Sequence, residues 1–245
     1  MERRGGAGAV LTRIVSVVET GSTNADLLAA SLSGTAEGTW LRADRQLSGR
    51  GRQGRAWQSP LGNLYASTLV RLQPTDPAAP SLSLVAGVAL HEALVAFLPT
   101  GSRPFLKWPN DVLLGGAKLA GILLERGGQA IVAGFGVNLA MRPVVDRPTT
   151  SLADHAVAVT APAFCDTLAE CFARWLGVWR GQGLASVRDR WLTAAHPVGT
   201  AIGVHSPGGD RIDGLFDGLT AEGALRLRLA DGGAHVMHAG DVYLI

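Results

Sequence analysis

The stretch SLSLVAGVALHEALVAFLP, residues 81–99, limits the fold more than any other part of the chain. Leu82, Val85, Ala86, Ala89, Leu90, Ala93, Leu94 and Phe97 recur at i, i+3, i+4 and i+7, the spacing of one helical face, and Pro99 ends the run. A helix this apolar must be covered. His91 and Glu92 interrupt it, so no apolar run reaches the ~18 residues that span a bilayer. The helix therefore belongs in a protein core. The 245-residue chain can supply that core, because chains of this size bury roughly 70–75% of their unfolded surface. With 47% hydrophobic and 17% charged residues, the composition is globular and not disordered.

Strand-like segments on both sides provide the cover. Residues 10–18, 38–45 and 63–72 read as strands, with a helix from GSTNADLLAAS between the first two. Thr23 with Asp26 fits a capping box at the start of that helix. Residues 104–107 with 111–114, then 118–126 and 129–139, form further strands, turning at Gly115-Gly116 and Gly127-Gly128. Helices are predicted over about 163–180 and 184–195. From about residue 197, short alternating segments punctuated by SPGGD, TAEG and DGG read as a small antiparallel β barrel. The expected architecture is α+β: a mixed, largely antiparallel sheet with helices in a main domain, residues 1–196, and a small barrel domain, residues 197–245.

Cys165 and Cys171 match no zinc spacing and read as reduced thiols of a cytoplasmic protein. Arg3 and Arg4 are followed by Arg13 with no apolar core between, so no signal peptide is expected and no membrane partner. The net charge of +2 argues against a general nucleic-acid binder. The charge is unevenly placed: residues 41–55 carry five arginines against one aspartate. A basic glycine-rich loop suits a small polyanion better than a long duplex.

That loop, GRGRQGR at 49–55, formally matches G-x-G-x-x-G, but Pro60 and Gly62 leave no helix after it to hold a pyrophosphate. It also misses the P-loop, because Arg55 and Ala56 replace Lys and Ser/Thr. Arg50, Arg52 and Arg55 are suited to bidentate contacts with carboxylate and phosphate oxygens; a solvated basic turn is the plainer reading. KWPND at 107–111 reads as a β-turn with Pro109 at its first central position, Trp108 as packing and Asp111 as a turn cap. Lys118 reads as an edge-protecting lysine, and Gly134 and Gly136 as a bulge or as sites of close backbone approach.

In this order and spacing the motifs STN (22–24), Q…GRGRQGRAW (46–57), KWPNDVL (107–113), KLAGILLE (118–125) and GFGVNL (134–139) resemble one family closely, the biotin–protein ligases. The resemblance spans about residues 10–245. It implies a class II synthetase-like catalytic domain, an SH3-like C-terminal barrel, and biotin and ATP as substrates with Mg²⁺. The partner it implies is a biotin carboxyl carrier protein. By position, Ser22, Thr23, Asn24 and Gln46 fall at the biotin ureido group. Gly49, Arg50 and Arg52 fall in the biotin-binding loop, and Gly121, Gly134 and Gly136 on the biotin wall. Arg52, Arg55, Trp57, Asn110 and Asn138 fall to the nucleotide, and Lys118 to the biotin carboxyl and α-phosphate.

Lys118, Arg50, Arg52 and Asp111 are the implied catalytic set, Asp111 as the base for the carrier lysine or as a turn residue. No metal ligand is assigned. Some family members carry a DNA-binding domain ahead of the catalytic one. Only about ten residues precede the first strand here, so no nucleic-acid binding is expected. A homodimer through a sheet edge is compatible with the pattern. The alternative is a lipoate ligase, whose substrate lacks the ureido head; an RNA-binding module using the arginine loop and Trp57 is a rival from another class. The loop at 49–55 is expected to be mobile when empty and ordered by its ligand.

Overall fold

A computed structural model describes residues 12–205 and 211–245. Seven strands form one mixed sheet: β1 Arg13–Thr20, β2 Thr39–Gln46, β3 Leu64–Arg71, β4 Phe105–Lys107, β5 Asp111–Leu114, β6 Ala117–Gly127 and β7 Ala130–Val137, in the order β1-β2-β3-β7-β6-β5-β4. β1 and β2 are parallel, joined through helix α1 (Thr23–Leu32); the remaining pairs are antiparallel. The first strand starts at Arg13; residues 10 and 11 of its expected span lie outside the described residues.

The period-two alternation of β3, β6 and β7 decides where the core lies and where the site lies. Leu64, Ala66 and Val70 of β3, Ile131, Ala133, Phe135 and Val137 of β7, and Ala120 and Ile122 of β6 join the main core. That core contains helices α2 (Leu82–Phe97), α3 (Ala161–Gln182) and α4 (Leu184–Ala194). The opposite face carries Leu69 and Val132 beneath Leu27 of α1. Further along this second face the side chains shrink to Ser67, Gly134, Gly136 and Gly121, which leaves room for a cavity.

α2 is buried around nearly its whole circumference, beyond the single face that its spacing predicts. Leu84 is buried against the loop at Gly223, and Gly87 lies against the Trp191 indole of α4. Each fully buried leucine contributes about 1.5–3 kcal/mol, so α2 is the principal hydrophobic investment of the fold. Trp40 of β2 stacks on Phe135 at 5.6 Å and meets Phe172 of α3 edge-on at 5.8 Å.

The C-terminal segment forms a five-stranded antiparallel sheet: β8 Ala201–His205, β9 Arg211–Leu219, β10 Leu225–Arg228, β11 Ala234–Met237 and β12 Asp241–Leu244. Their order is β11-β10-β9-β8-β12, and the SPGGD turn lies outside the described residues. Its apolar face, including Ile202, Phe216, Leu225 and Val242, is continuous with the main core through Leu106, Trp108 and Trp191. The Trp108 indole donates to the Gly223 carbonyl at 3.3 Å. This packing brings β12 against the arginine loop.

Three local expectations are corrected. The N-cap of α1 is Ser22, whose hydroxyl accepts from the Ala25 N–H at 3.4 Å. Thr23 is inside the helix with its hydroxyl engaged elsewhere, and Asp26 accepts from Thr20. KWPND makes a three-residue connection between the paired Lys107 and Asp111, with a cis Trp108–Pro109 peptide. Asp111 starts β5 as an ion-pair partner and caps no turn. Lys118 protects no edge, because β6 lies inside the sheet between β5 and β7.

His91 of α2 is buried, with Nε2 donating to the Pro104 carbonyl at 3.1 Å and Nδ1 facing Arg190. Burial, reinforced by the Arg190 charge, lowers its pKa to about 4, against the opposing Pro104 hydrogen bond and the Glu92 charge. The unfolded chain therefore takes up a proton below pH ~6.5 that the folded chain refuses until about 4. This stabilisation is full above that window and is lost as pH falls through it, by at most about 3 kcal/mol. Urea unfolding midpoints are expected to fall between pH 6.5 and 4.5, and His91→Gln, which keeps a donor but does not titrate, should flatten that slope.

Candidate active site

A cavity of about 340 Å³ lies between the small-residue face of the first sheet, residues 50–57 and β12. Gly121 of β6 and Gly136 of β7 are register partners, and Gly134 is two residues along from Gly136. A methyl group on Gly136 would sit 2.4 Å from the Trp57 ring, and one on Gly121 3.0 Å from it. A methyl on Gly134 would sit 2.0 Å from Asn24 Oδ1. The glycines are thus required by the chain's own Trp57 and Asn24, which pack against them and line the cavity. Trp57 Nε1 is buried without a hydrogen-bond partner among the described residues.

One end of the cavity is neutral and polar. Thr23 N–H donates to Gln46 Oε1 at 2.9 Å, and the Thr23 hydroxyl is 3.1 Å from the same oxygen. Ser67 Oγ lies 2.7 Å from Thr23 Oγ1 and 2.6 Å from Asn24 Oδ1. The Asn24 amide donates to the Leu123 carbonyl at 3.2 Å and to Glu125 at 2.8 Å. Ser22, Thr23 and Asn24 are all buried.

The other end is cationic. Lys118 is 9% exposed, pairs with Asp111 and lies 5.4 Å over the Trp57 ring. Lys107 is 3.9 Å from the same carboxylate. Burial lowers the pKa of Lys118; Asp111 opposes this and Arg147 and Lys107 add to it. Burial lowers Lys107 as well. Arg52 donates to the Gly240 carbonyl at 3.1 Å and to Asn110 Oδ1 at 3.4 Å, and lies 3.6 Å from Asp241. Arg55 also pairs with Asp241, which raises the pKa of its half-exposed guanidinium. The loop closes on itself through Gly51 N–H to Arg55 O at 2.8 Å and Trp57 N–H to Gly49 O at 2.9 Å.

Most residues singled out in the sequence line this one cavity: Ser22, Thr23, Asn24, Gln46, Arg50, Arg52, Arg55, Trp57, Asn110, Asp111, Lys118, Gly121, Gly134 and Gly136. Two do not. Gly49 is wedged beneath the loop, where a methyl group would meet the Trp57 carbonyl at 2.7 Å. Asn138 is buried with its amide donating to the Thr150 carbonyl at 3.0 Å, so contact with a base requires that bond to be exchanged. The sequence reading missed Ser67, Glu125, Asp241 and Arg147, of which Asp241 and Arg147 line the cavity. Glu125 alone had a signal, as the last residue of KLAGILLE.

Asp241 holds two of the three loop arginines from a distant part of the chain. Asp241→Asn is expected to speed backbone hydrogen exchange over residues 50–57 by roughly two- to five-fold, the scale of a partly exposed ion pair. Unchanged exchange there would show that the loop holds without this carboxylate.

Residues 18–141 match the protein-family model of the biotin/lipoate A/B protein ligase family. A biotin–[acetyl-CoA-carboxylase] ligase from Paracoccus denitrificans is 39% identical over 241 residues, covering 93% of this chain and 98% of the relative. The chain belongs to the biotin/lipoate A/B protein ligase family. A biotin–[acetyl-CoA-carboxylase] ligase from Mycobacterium tuberculosis is also 39% identical, with 97% of this chain and 91% of the relative covered. The bifunctional ligase/repressor BirA of Escherichia coli is 35% identical over 76% of this chain, which spans 60% of that relative. In fold, the ligase is similar to the biotin protein ligase of Aquifex aeolicus solved with biotin and ATP. The TM-score is 0.83 at 24% identity, with 95% of this chain and 99% of that one covered.

Proposed function

We propose that the cavity binds biotin by its ureido group at the Ser22–Thr23–Gln46 end and the ATP phosphates at the Lys118–Arg52–Arg55 end. The enzyme is an ATP-dependent biotin–protein ligase: it forms biotinyl-5′-AMP, then transfers the biotinyl group to a lysine of a biotin carboxyl carrier protein. One observation supports the division most: a neutral hydrogen-bonding cluster and a cationic cluster occupy opposite ends of one cavity of about 340 Å³.

In the first step a biotin carboxylate oxygen bonds to the α-phosphorus and pyrophosphate leaves. Both reactants are anionic and repel. Lys118 neutralises the carboxylate and the α-phosphate, while Arg52 and Arg55 exchange Asp241 for phosphate oxygens. Arg50 completes the loop's cover, which excludes water from the mixed anhydride. In the second step the neutral carrier amine attacks the acyl carbon and AMP leaves. Asp111, shared by Lys118 and Lys107, orients Lys118 and takes a proton from the incoming amine only when that pair opens.

A protein-held magnesium does not fit these residues. Asp111 and Asp241 are both engaged by cations, and no cluster of metal-ligating side chains occurs among the described residues. Magnesium enters with ATP as substrate, and no step is assigned to a protein-bound ion. The outer edge of β1, which no strand covers among the described residues and where Val18 is 77% exposed, is the proposed docking edge for the carrier or for a second copy. Cys165 is buried and pushed up to about 12, an inert thiol in keeping with a cytoplasmic setting.

The decisive experiment supplies labelled biotin, ATP and a biotin-acceptor domain. Biotin-dependent pyrophosphate release and labelling of one acceptor lysine are expected. Lipoate should not compete, because a site built to pair polar groups rejects ligands lacking them by roughly 10⁴. Preferential lipoate transfer would overturn the assignment.

A further inference from the structure

The polar end of the cavity contains more hydrogen-bond contacts than it has protons, and counting them fixes which way each group points. Asn24 Nδ2 is held by two acceptors, the Leu123 carbonyl at 3.2 Å and a Glu125 carboxylate oxygen at 2.8 Å. Both amide protons are used, so Oδ1 faces Ser67 at 2.6 Å. An amide oxygen only accepts, so this contact takes the single Ser67 proton. The 2.7 Å contact between Ser67 and Thr23 must then take the Thr23 proton. Gln46 Oε1 is fixed as an acceptor by the Thr23 N–H at 2.9 Å. The 3.1 Å contact between Thr23 Oγ1 and Gln46 Oε1 is left with no proton between two oxygens.

We propose that Glu125 and Ser67 are positioning residues for the substrate: through Asn24 they draw the Thr23 proton inward, so that Thr23 Oγ1 and Gln46 Oε1 face the cavity as paired acceptors for ligand N–H groups. This rests on the biotin reading of the cavity and deepens it. The ureido N–H groups are the matching donors. Gly134 is part of the device, since the Asn24 amide occupies the space of any side chain there. Glu125 lies on the same strand face as Gly121, two register steps beyond it, and acts through Asn24 rather than by touching the ligand.

The test measures biotin affinity by calorimetry, together with KM for biotin, KM for ATP and kcat, on the full chain. Ser67→Ala frees the Thr23 proton to turn toward Gln46, and Glu125→Ala loosens the amide. Each is expected to weaken biotin about ten-fold, the scale of one hydrogen bond, with KM for ATP and kcat within about two-fold. Glu125→Gln keeps an acceptor for Asn24 and should restore affinity to near that of the unaltered protein. An analogue with a ring oxygen in place of one ureido N–H should bind the unaltered protein weakly and lose little more in Ser67→Ala. The assignment is overturned if Ser67→Ala and Glu125→Ala bind biotin normally. Equal damage by Glu125→Gln and Glu125→Ala, or a matching rise in KM for ATP, overturns it too. If the unaltered protein binds no biotin at all, the reading of the cavity itself has failed, an outcome separable from these.

Discussion

Replacing Lys118 by alanine is expected to slow biotin adenylation by about 10²–10³, the cost of removing one preorganised charge from a developing anionic transition state. The ammonium is buried beside Asp111 and over the Trp57 ring, so water cannot substitute for it fully. Asp111 keeps Lys107 as a partner at 3.9 Å, so the fold should survive. Pyrophosphate release slowed by that factor, with an unchanged circular-dichroism spectrum, is the expected combination. Turnover near normal would remove Lys118 from the chemistry. Because burial lowers its pKa, activity should fall with rising pH below the usual lysine range, and Lys118→Arg, which does not deprotonate, should move that limb upward.

The second large effect is steric. Gly134→Ala places a methyl group 2.0 Å from Asn24 Oδ1, and Gly136→Ala places one 2.4 Å from the Trp57 ring. Neither neighbour can yield cheaply: Asn24 is held by Leu123, Glu125 and Ser67, and Trp57 is packed over the glycine pair. Each substitution should destabilise by about 1–3 kcal/mol and abolish detectable biotin binding. Gly177→Ala is the control. It lies in α3 with nothing within 4 Å of the added methyl, and alanine is the better helix former. Melting temperatures and biotin titrations of the three variants settle the point; normal binding by Gly134→Ala would mean that Asn24 has another place to go.

Much of the site was legible because its residues sit in short contiguous motifs. KLAGILLE shows why: alternation along one strand sends Ala120 and Ile122 to the core and Gly121 and Glu125 to the cavity face, and period two is a property of the strand itself. The glycine-arginine loop, too poor in apolar groups to pack, could be read as a ligand-binding segment. Its partner could not. Asp241 stands 186 positions beyond Arg55 in a segment with no motif, and only the packing of the second sheet against Leu106, Trp108 and Trp191 brings that carboxylate to the loop.

The elements, the α+β class, the apolar helix that had to be covered and the residues that gather at the cavity follow from periodicity and local chemistry, and so could be read from the chain alone. What those residues touch is set by packing between distant segments. Asn24 and Trp57 fill the space the glycines leave, Ser67 and Glu125 aim the hydroxyl cluster, and Asp241 holds the arginines. Each of these rests on strands paired across the sheet or on two sheets sharing one core, and distances of that kind are set by packing between segments remote in the chain.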